Sequence, residues 1–176
     1  QSVTMPALPA LTNATSMFSY CFALLSVTMT ALPALINATS MFSYCSALQS
    51  VTMPALPALI NATSMFSYCL ALQSVTMTTL PALTTATNMF GTTSEPTCLY
   101  NLRKLITSDM ALLTAGSTLV LRYTAIQEEE AMSWVGTLGT SANAITFDMR
   151  NNPFSTSALV APAILAKFPN ATILMV

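Results

Sequence analysis

A short string of residues returns through the first half of this chain at a fixed step of 24. Ser2-Val3-Thr4-Met5 recurs as Ser26-Val27-Thr28-Met29, Ser50-Val51-Thr52-Met53 and Ser74-Val75-Thr76-Met77. Met17-Phe18, Met41-Phe42, Met65-Phe66 and Met89-Phe90 keep the same interval, as do Cys21, Cys45 and Cys69 and the Asn-Ala-Thr triplets that begin at Asn13, Asn37 and Asn61. A unit this short cannot bury its own apolar face. Repetition at a period in this range is the mark of a solenoid, in which each unit is covered by its neighbours. The repeat therefore predicts that Val27, Val51 and Val75 line one shared interior.

One unit can be read in order. Leu48-x-x-Val51-x-Met53 has the L-x-x-L-x-L spacing of a leucine-rich repeat. Val51 and Met53 share a strand face because side chains alternate with period two. Pro54-Ala55-Leu56-Pro57 excludes both a helix and a central strand, so it is read as a corner. Asn61-Ala62-Thr63-Ser64 offers N-cap side chains for a short helical turn through Met65, Phe66 and Tyr68, which Cys69 closes pointing inward. Met17, Met41, Met65 and Met89 are read as core filling beneath that turn. The expected fold class is an α/β solenoid of leucine-rich-repeat type, with a parallel sheet on one side and short helices on the other.

After Phe90 the period breaks. Leu102-x-x-Leu105 resumes the pattern, with Arg103-Lys104 in place of Gln73-Ser74. A longer unit follows, in which Leu119-x-Leu121-x-x-Thr124-x-Ile126 matches Phe147-x-Met149-x-x-Asn152-x-Phe154 at an offset of 28. Residues 127–138 are read as a helix whose N-terminal dipole favours Glu128, Glu129 and Glu130. Residues 155–168 are its counterpart, kinked or started late by Pro162, and residues 173–176 are one more strand, 28 residues after the strand at Phe147. The organisation expected is thus 1–94, 24-residue repeats; 95–117, an irregular transition; and 118–176, 28-residue helical repeats.

The string from Met41 to Pro54, Met-Phe-Ser-Tyr-Cys-Ser-Ala-Leu-Gln-Ser-Val-Thr-Met-Pro, resembles the BspA-like leucine-rich repeat, in which Phe-x-x-Cys-x-x-Leu-x-x-Val/Ile-x-Ile/Leu-Pro recurs. The resemblance covers roughly residues 1–110. It implies a secreted or surface-anchored protein of the kind linked to adhesion to host matrix or other cells, and related repeats occur in phage-encoded proteins. It also implies that Cys21, Cys45 and Cys69 occupy an inward position.

Charge sharpens the functional reading. All eleven charged residues lie at or after Glu95, for a net charge of −1. A neutral half cannot neutralise phosphates, which argues against nucleic acid as a partner. Without histidine, no Ser-His or Cys-His nucleophile pair can be built, and without a CxxC pair a structural zinc site has little support. No catalytic residue, metal or cofactor is assigned, and an enzyme is not expected. A hydrolase acting on glycans would need a carboxylate pair, and Glu128 to Glu130 read instead as a solvated helix start, with Glu95 and Asp109 isolated. No stretch reaches the roughly 18 apolar residues of a membrane span. Gln1 falls inside a repeat and follows no leader, so the natural protein is expected to extend upstream, with any secretion signal removed or lying there.

The candidate ligand-binding residues lie on the sheet side. Gln49, Ser50, Thr52, Gln73, Ser74 and Thr76, with Ser26 and Thr28, form an uncharged hydroxyl and amide surface suited to sugars, extended peptides or another solenoid. The same residues are also the ordinary filling of an exposed sheet. Arg122, Asp148 and Arg150 form a second set. Arg122 and Arg150 are one 28-residue step apart, and Asp148 and Arg150 are two apart on one expected strand, which reads as a ligand patch or as an ionic ladder. The cysteine ladder allows disulfides, since adjacent units lie about 5 Å apart, or buried free thiols. Asn13, Asn37, Asn61 and Asn170 are formal glycosylation sites, or side chains that satisfy the backbone at turns. The expected role is a non-enzymatic recognition or adhesion module, extracellular or on the cell surface, binding protein or glycan on a host or neighbouring cell. The alternative is a structural or assembly protein, such as a phage tail or fibre component in a virion, or a filament self-associating through open ends.

Overall fold

The computed structural model describes residues 1–91, 101–107, 113, 118–122 and 124–175. Glu95, Cys98 and Asp109, and most of the expected 95–117 transition, lie outside the described residues. Among the described residues the chain is α/β, with parallel strands in two sheets, two short helices and no closed barrel. The first sheet runs β1 (Ser2–Met5), β2 (Ser26–Met29), β3 (Ser50–Met53), β4 (Ser74–Met77), β5 (Lys104–Thr107), each strand pairing with the next in sequence. The second is β6 (Thr118–Val120), β7 (Thr146–Asp148), β8 (Thr172–Leu174), with helix α1 (Glu128–Thr137) between β6 and β7 and α2 (Val160–Lys167) between β7 and β8.

The register follows the sequence repeat. Ser26 pairs with Ser2 and Ser50, and Val51 with Val27 and Val75, so each residue lies beside its own copy. Alternation then sorts the faces. Val27, Met29, Val51, Met53, Val75 and Met77 are buried, while Thr28 and Thr52 stay exposed. Leu102 and Leu105 enter the same core, and the amide of Arg103 donates to the carbonyl of Gln73 at 2.8 Å, as the substitution of Arg103-Lys104 for Gln73-Ser74 predicts. Phe18, Phe42, Phe66 and Phe90 stack ring on ring, with centroids 5.4, 5.5 and 5.9 Å apart. Met41, Met65 and Met89 are wholly buried, as expected of core filling, whereas Met17 is 40% exposed.

The short helices expected opposite this sheet do not form in the 24-residue units. In their place is a spiral of turns. Ala38, Ser40, Phe42 and Tyr44 donate their amides to Asn61, Thr63, Met65 and Ser67 of the next unit. The intervening amides of Met41, Ser43 and Cys45 bond back to Ala38, Ser40 and Phe42. Ser40 and Tyr44 reach φ of 52° and 63°, left-handed values that an α-helix cannot contain. The physical reason is supply: this Ser-, Thr- and Asn-rich segment is a poor helix former, and an identical neighbour one unit away satisfies every second amide. The asparagines anchor the entry. Asn37 Oδ1 accepts the Thr39 amide at 2.9 Å and its hydroxyl at 2.7 Å, and Asn13 and Asn61 likewise bond the amides of Thr15 and Thr63.

In the second part, Thr118 pairs with Thr146 at the expected offset of 28, but Thr146 pairs with Thr172, an offset of 26. The last strand is therefore Thr172–Leu174 and not 173–176. Asn152 makes the link between these longer units. Its Oδ1 accepts the amide (2.6 Å) and hydroxyl (2.9 Å) of Thr124, and its Nδ2 donates to the carbonyls of Leu121 and Met149. Helix α1 carries Glu128, Glu129 and Glu130 in its first turn, the stabilising end for anions. Its C-terminal carbonyls at Gly136 and Leu138 receive Lys167 Nζ from α2. Pro162 sits in the first turn of α2, where its missing amide costs little, which explains the late start.

Candidate functional site

The structure brings six of the sequence-chosen residues into one patch. Ser50 pairs with Ser74 and Thr52 with Thr76 across β3 and β4, and Gln49 and Gln73 lie exposed just ahead of these strands. Thr52 is exposed; Ser50, Ser74 and Thr76 are half-buried by their neighbours. The files continue through Ser26 and Thr28 to Ser2 and Thr4, and Ser26 Oγ donates to Ser2 Oγ at 2.8 Å. Part of the hydroxyl capacity is thus spent along the file. The Thr file is what remains open, as a row of hydroxyls and methyls at strand spacing.

Arg122, Asp148 and Arg150 belong to the other sheet and do not extend this patch. They do come together, but differently from expectation. β7 ends at Asp148, so Arg150 lies beyond the strand and folds back on it. Arg150 Nε donates to Asp148 Oδ1 at 2.9 Å and Nη2 to Oδ2 at 2.8 Å, while Arg122 Nε stands 3.7 Å from Oδ1. The Asp148 side chain is 0% exposed against 37% for Arg150. The carboxylate is therefore enclosed and consumed by its own arginines. Asp148 is thus an internal ion-pair acceptor at the turn after β7, in the manner of the ionic-ladder alternative.

The cysteines are free thiols among the described residues: Cys21 is exposed, Cys45 and Cys69 buried. Cys45 Sγ donates to the Phe18 carbonyl at 2.9 Å and Cys69 Sγ to the Phe42 carbonyl at 3.0 Å. Burial pushes the Cys45 thiol up to about 11 and the Cys69 thiol further still. Neither is poised as a nucleophile, because the thiolate is the reactive form.

Two features escaped the sequence reading. Tyr20, Tyr44 and Tyr68 form a stacked file with centroids 4.7 and 4.2 Å apart, and hydrogen bonding to Tyr68, then burial, raises the Tyr44 hydroxyl above its usual range. The 24-residue recurrence of Tyr was the available signal, masked by the helical turn assigned there. The second is a hollow of about 590 Å³ that Arg103 shares with Gln127, Glu129, Glu130 and Ser133. Nothing in linear spacing links Arg103 to α1. No group of three or more His, Cys, Asp or Glu among the described residues is arranged to hold a metal ion. No helix among them is long and apolar enough to cross a membrane.

Protein-family models, curated proteins and solved structures were each compared with the chain, and none matches.

Proposed function

We propose that the chain is a recognition or adhesion module, built as a leucine-rich-repeat solenoid of BspA-like type, that binds protein or glycan ligands through the outer face of its first sheet. One observation carries the reading: β1 to β4 stand in strict parallel register, so Ser and Thr side chains line up in files on the side opposite the Val and Met core. A surface of this kind binds through many weak hydrogen bonds and methyl contacts with no fixed charge, which suits neutral sugars and extended peptides at an exposed site. The module acts by binding and not by catalysis, in keeping with a sequence that has no histidine. Its setting is the cell surface or the extracellular space.

The test is a screen of the purified chain against arrays of glycans and matrix proteins, repeated with Thr28→Arg, Thr52→Arg and Thr76→Arg. The reading expects binding that these substitutions abolish and that Asp148→Asn leaves in place. Binding that survives all three substitutions, or no binding across both arrays, contradicts it.

A further inference from the structure

Tyr20, Tyr44 and Tyr68 occupy the same turn of the spiral in successive units, with left-handed φ of 61°, 63° and 62°. The Tyr44 amide donates to the Ser67 carbonyl of the next unit at 2.9 Å, and the amide of Cys45 turns back to Phe42. The ring therefore leaves the backbone at a point fixed by both units. Tyr44 and Tyr68 stack with centroids 4.2 Å apart and planes within 10°, and their hydroxyls share a hydrogen bond. They stand closer than the about 4.8 Å between adjacent rungs, so the side chains lean together. In the same two units the wholly buried Phe42 and Phe66 are 5.5 Å apart. Tyr44 and Tyr68 are only half-buried, so this stack, unlike the phenylalanine file, is reached by solvent.

A phenol that loses one electron and its hydroxyl proton becomes a tyrosyl radical, with the unpaired electron on the oxygen and on the carbons ortho to it. Stacking favours the loss, because the electron-poor ring rests against the electron-rich face of its neighbour. We propose that Tyr44 and Tyr68 form an oxidative cross-linking site, at which hydrogen peroxide and a haem peroxidase join the two rings into a dityrosine staple between neighbouring units. Each ring gives up one electron and its hydroxyl proton. The two unpaired electrons then pair as a carbon–carbon bond between ortho positions. The hydrogen on each coupled carbon moves to the oxygen of its own ring, which restores both phenols. In all, two electrons and two protons leave the protein, and they reduce one hydrogen peroxide to two waters. What the fold contributes is proximity: partners 24 positions apart in sequence are held in contact. The staple closes a loop one unit long and so restricts the unfolded chain. The proposal rests on the stacking of the units and not on the ligand reading.

The test treats the full chain with hydrogen peroxide and a haem peroxidase at low protein concentration. The chain carries Tyr20→Phe and Cys21→Ser, so that the exposed ring and thiol of the first unit do not compete. The monomer is expected to lose the mass of two hydrogens, to gain dityrosine fluorescence, and to yield on digestion a branched peptide joining Tyr44 to Tyr68. Adding Tyr44→Phe, which keeps a ring in the stack, should lower the dityrosine yield in the monomer at least about tenfold, because the proximate partner is gone. Adding Ser46→Tyr to that variant returns a phenol two residues away on an exposed position and should not restore the yield. The stapled chain should also unfold at a higher urea concentration than the untreated one. The proposal is overturned if the dityrosine forms chiefly between chains or joins other tyrosines, if Tyr44→Phe leaves the yield unchanged, or if Ser46→Tyr restores it. A cross-link that leaves the urea midpoint where it was would overturn the staple. No carbohydrate or protein ligand enters these readouts, so their failure is separable from failure of the binding reading.

Discussion

The two parts of the molecule solve the same stacking problem with different neighbours. In the first sheet each unit meets its own copy. Rings of Phe18, Phe42 and Phe66 lie parallel within 1° of each other, and the amides of one spiral fit the carbonyls of the next. In the second sheet the units differ, and Phe147 meets Phe168 edge-on at 61°. This contrast accounts for the charge distribution. A charged residue in an identical repeat would stand about 4.8 Å from its own like charge on the adjacent strand, where like charges are destabilising. The first 94 residues contain no charged side chain. Where neighbours are not copies, a charge can be matched, and Asp148 is held by Arg150 of its own unit and faced by Arg122 of the unit before.

The largest expected effect tests the stacking of identical units. Phe66 lies buried between Phe42 and Phe90, and Phe66→Ala should cost about 3–5 kcal/mol in urea unfolding. A loss under about 1 kcal/mol would mean the ring file is not where the stability of this part resides. Next, Asp148→Ala removes the buried carboxylate that Arg150 binds and Arg122 faces and should cost about 2–3 kcal/mol, reduced from the buried-pair range because Arg150 is partly solvated. Were it neutral, the second part would not depend on matched charge.

A smaller effect bears on the rule itself. Thr28→Glu, Thr52→Glu and Thr76→Glu together place like charges on adjacent rungs and should destabilise by roughly 0.5–1 kcal/mol per neighbouring pair. Added salt should relieve the loss, and exchanging the middle Glu for Lys should restore stability. Equal stability of the all-Glu and alternating forms would remove the explanation for the neutral half. The smallest is a pH effect. The Cys45 thiol is raised from 9.0 to about 11 by burial, so the protonated thiol is the form the fold favours. Its contribution is full below pH 9 and falls as pH rises toward 11, a slope that Cys45→Ala should lessen in urea titrations at pH 8 and pH 10.5.

The sequence made the first sheet legible because repetition fixes register without reference to anything distant. Val27, Val51 and Val75 align because the spacing leaves no other solution. The spiral was not legible. Its left-handed turns fall on Ser40, Tyr44, Ser64 and Tyr68, and no glycine marks them. Such conformations cost about 1–2 kcal/mol each for residues with a Cβ, and only hydrogen bonds from a neighbouring unit make them tolerable, which a reading of one unit cannot foresee. The hydroxyl patch was legible from strand alternation. The burial of Asp148 was not, because it depends on β7 ending at that residue, and Arg103 facing α1 depends on the packing of α1 beside β5.

The central claim is that consecutive copies of the unit lie side by side in register. Spin labels attached to Thr28→Cys and Thr52→Cys in a chain with its native cysteines replaced test it most directly. Adjacent parallel rungs hold the labelled positions about 4.8 Å apart, so the doubly labelled chain should show a strongly broadened or exchange-narrowed spectrum that neither single label gives. A spectrum equal to the sum of the two single-label spectra would place these positions apart and contradict the stack.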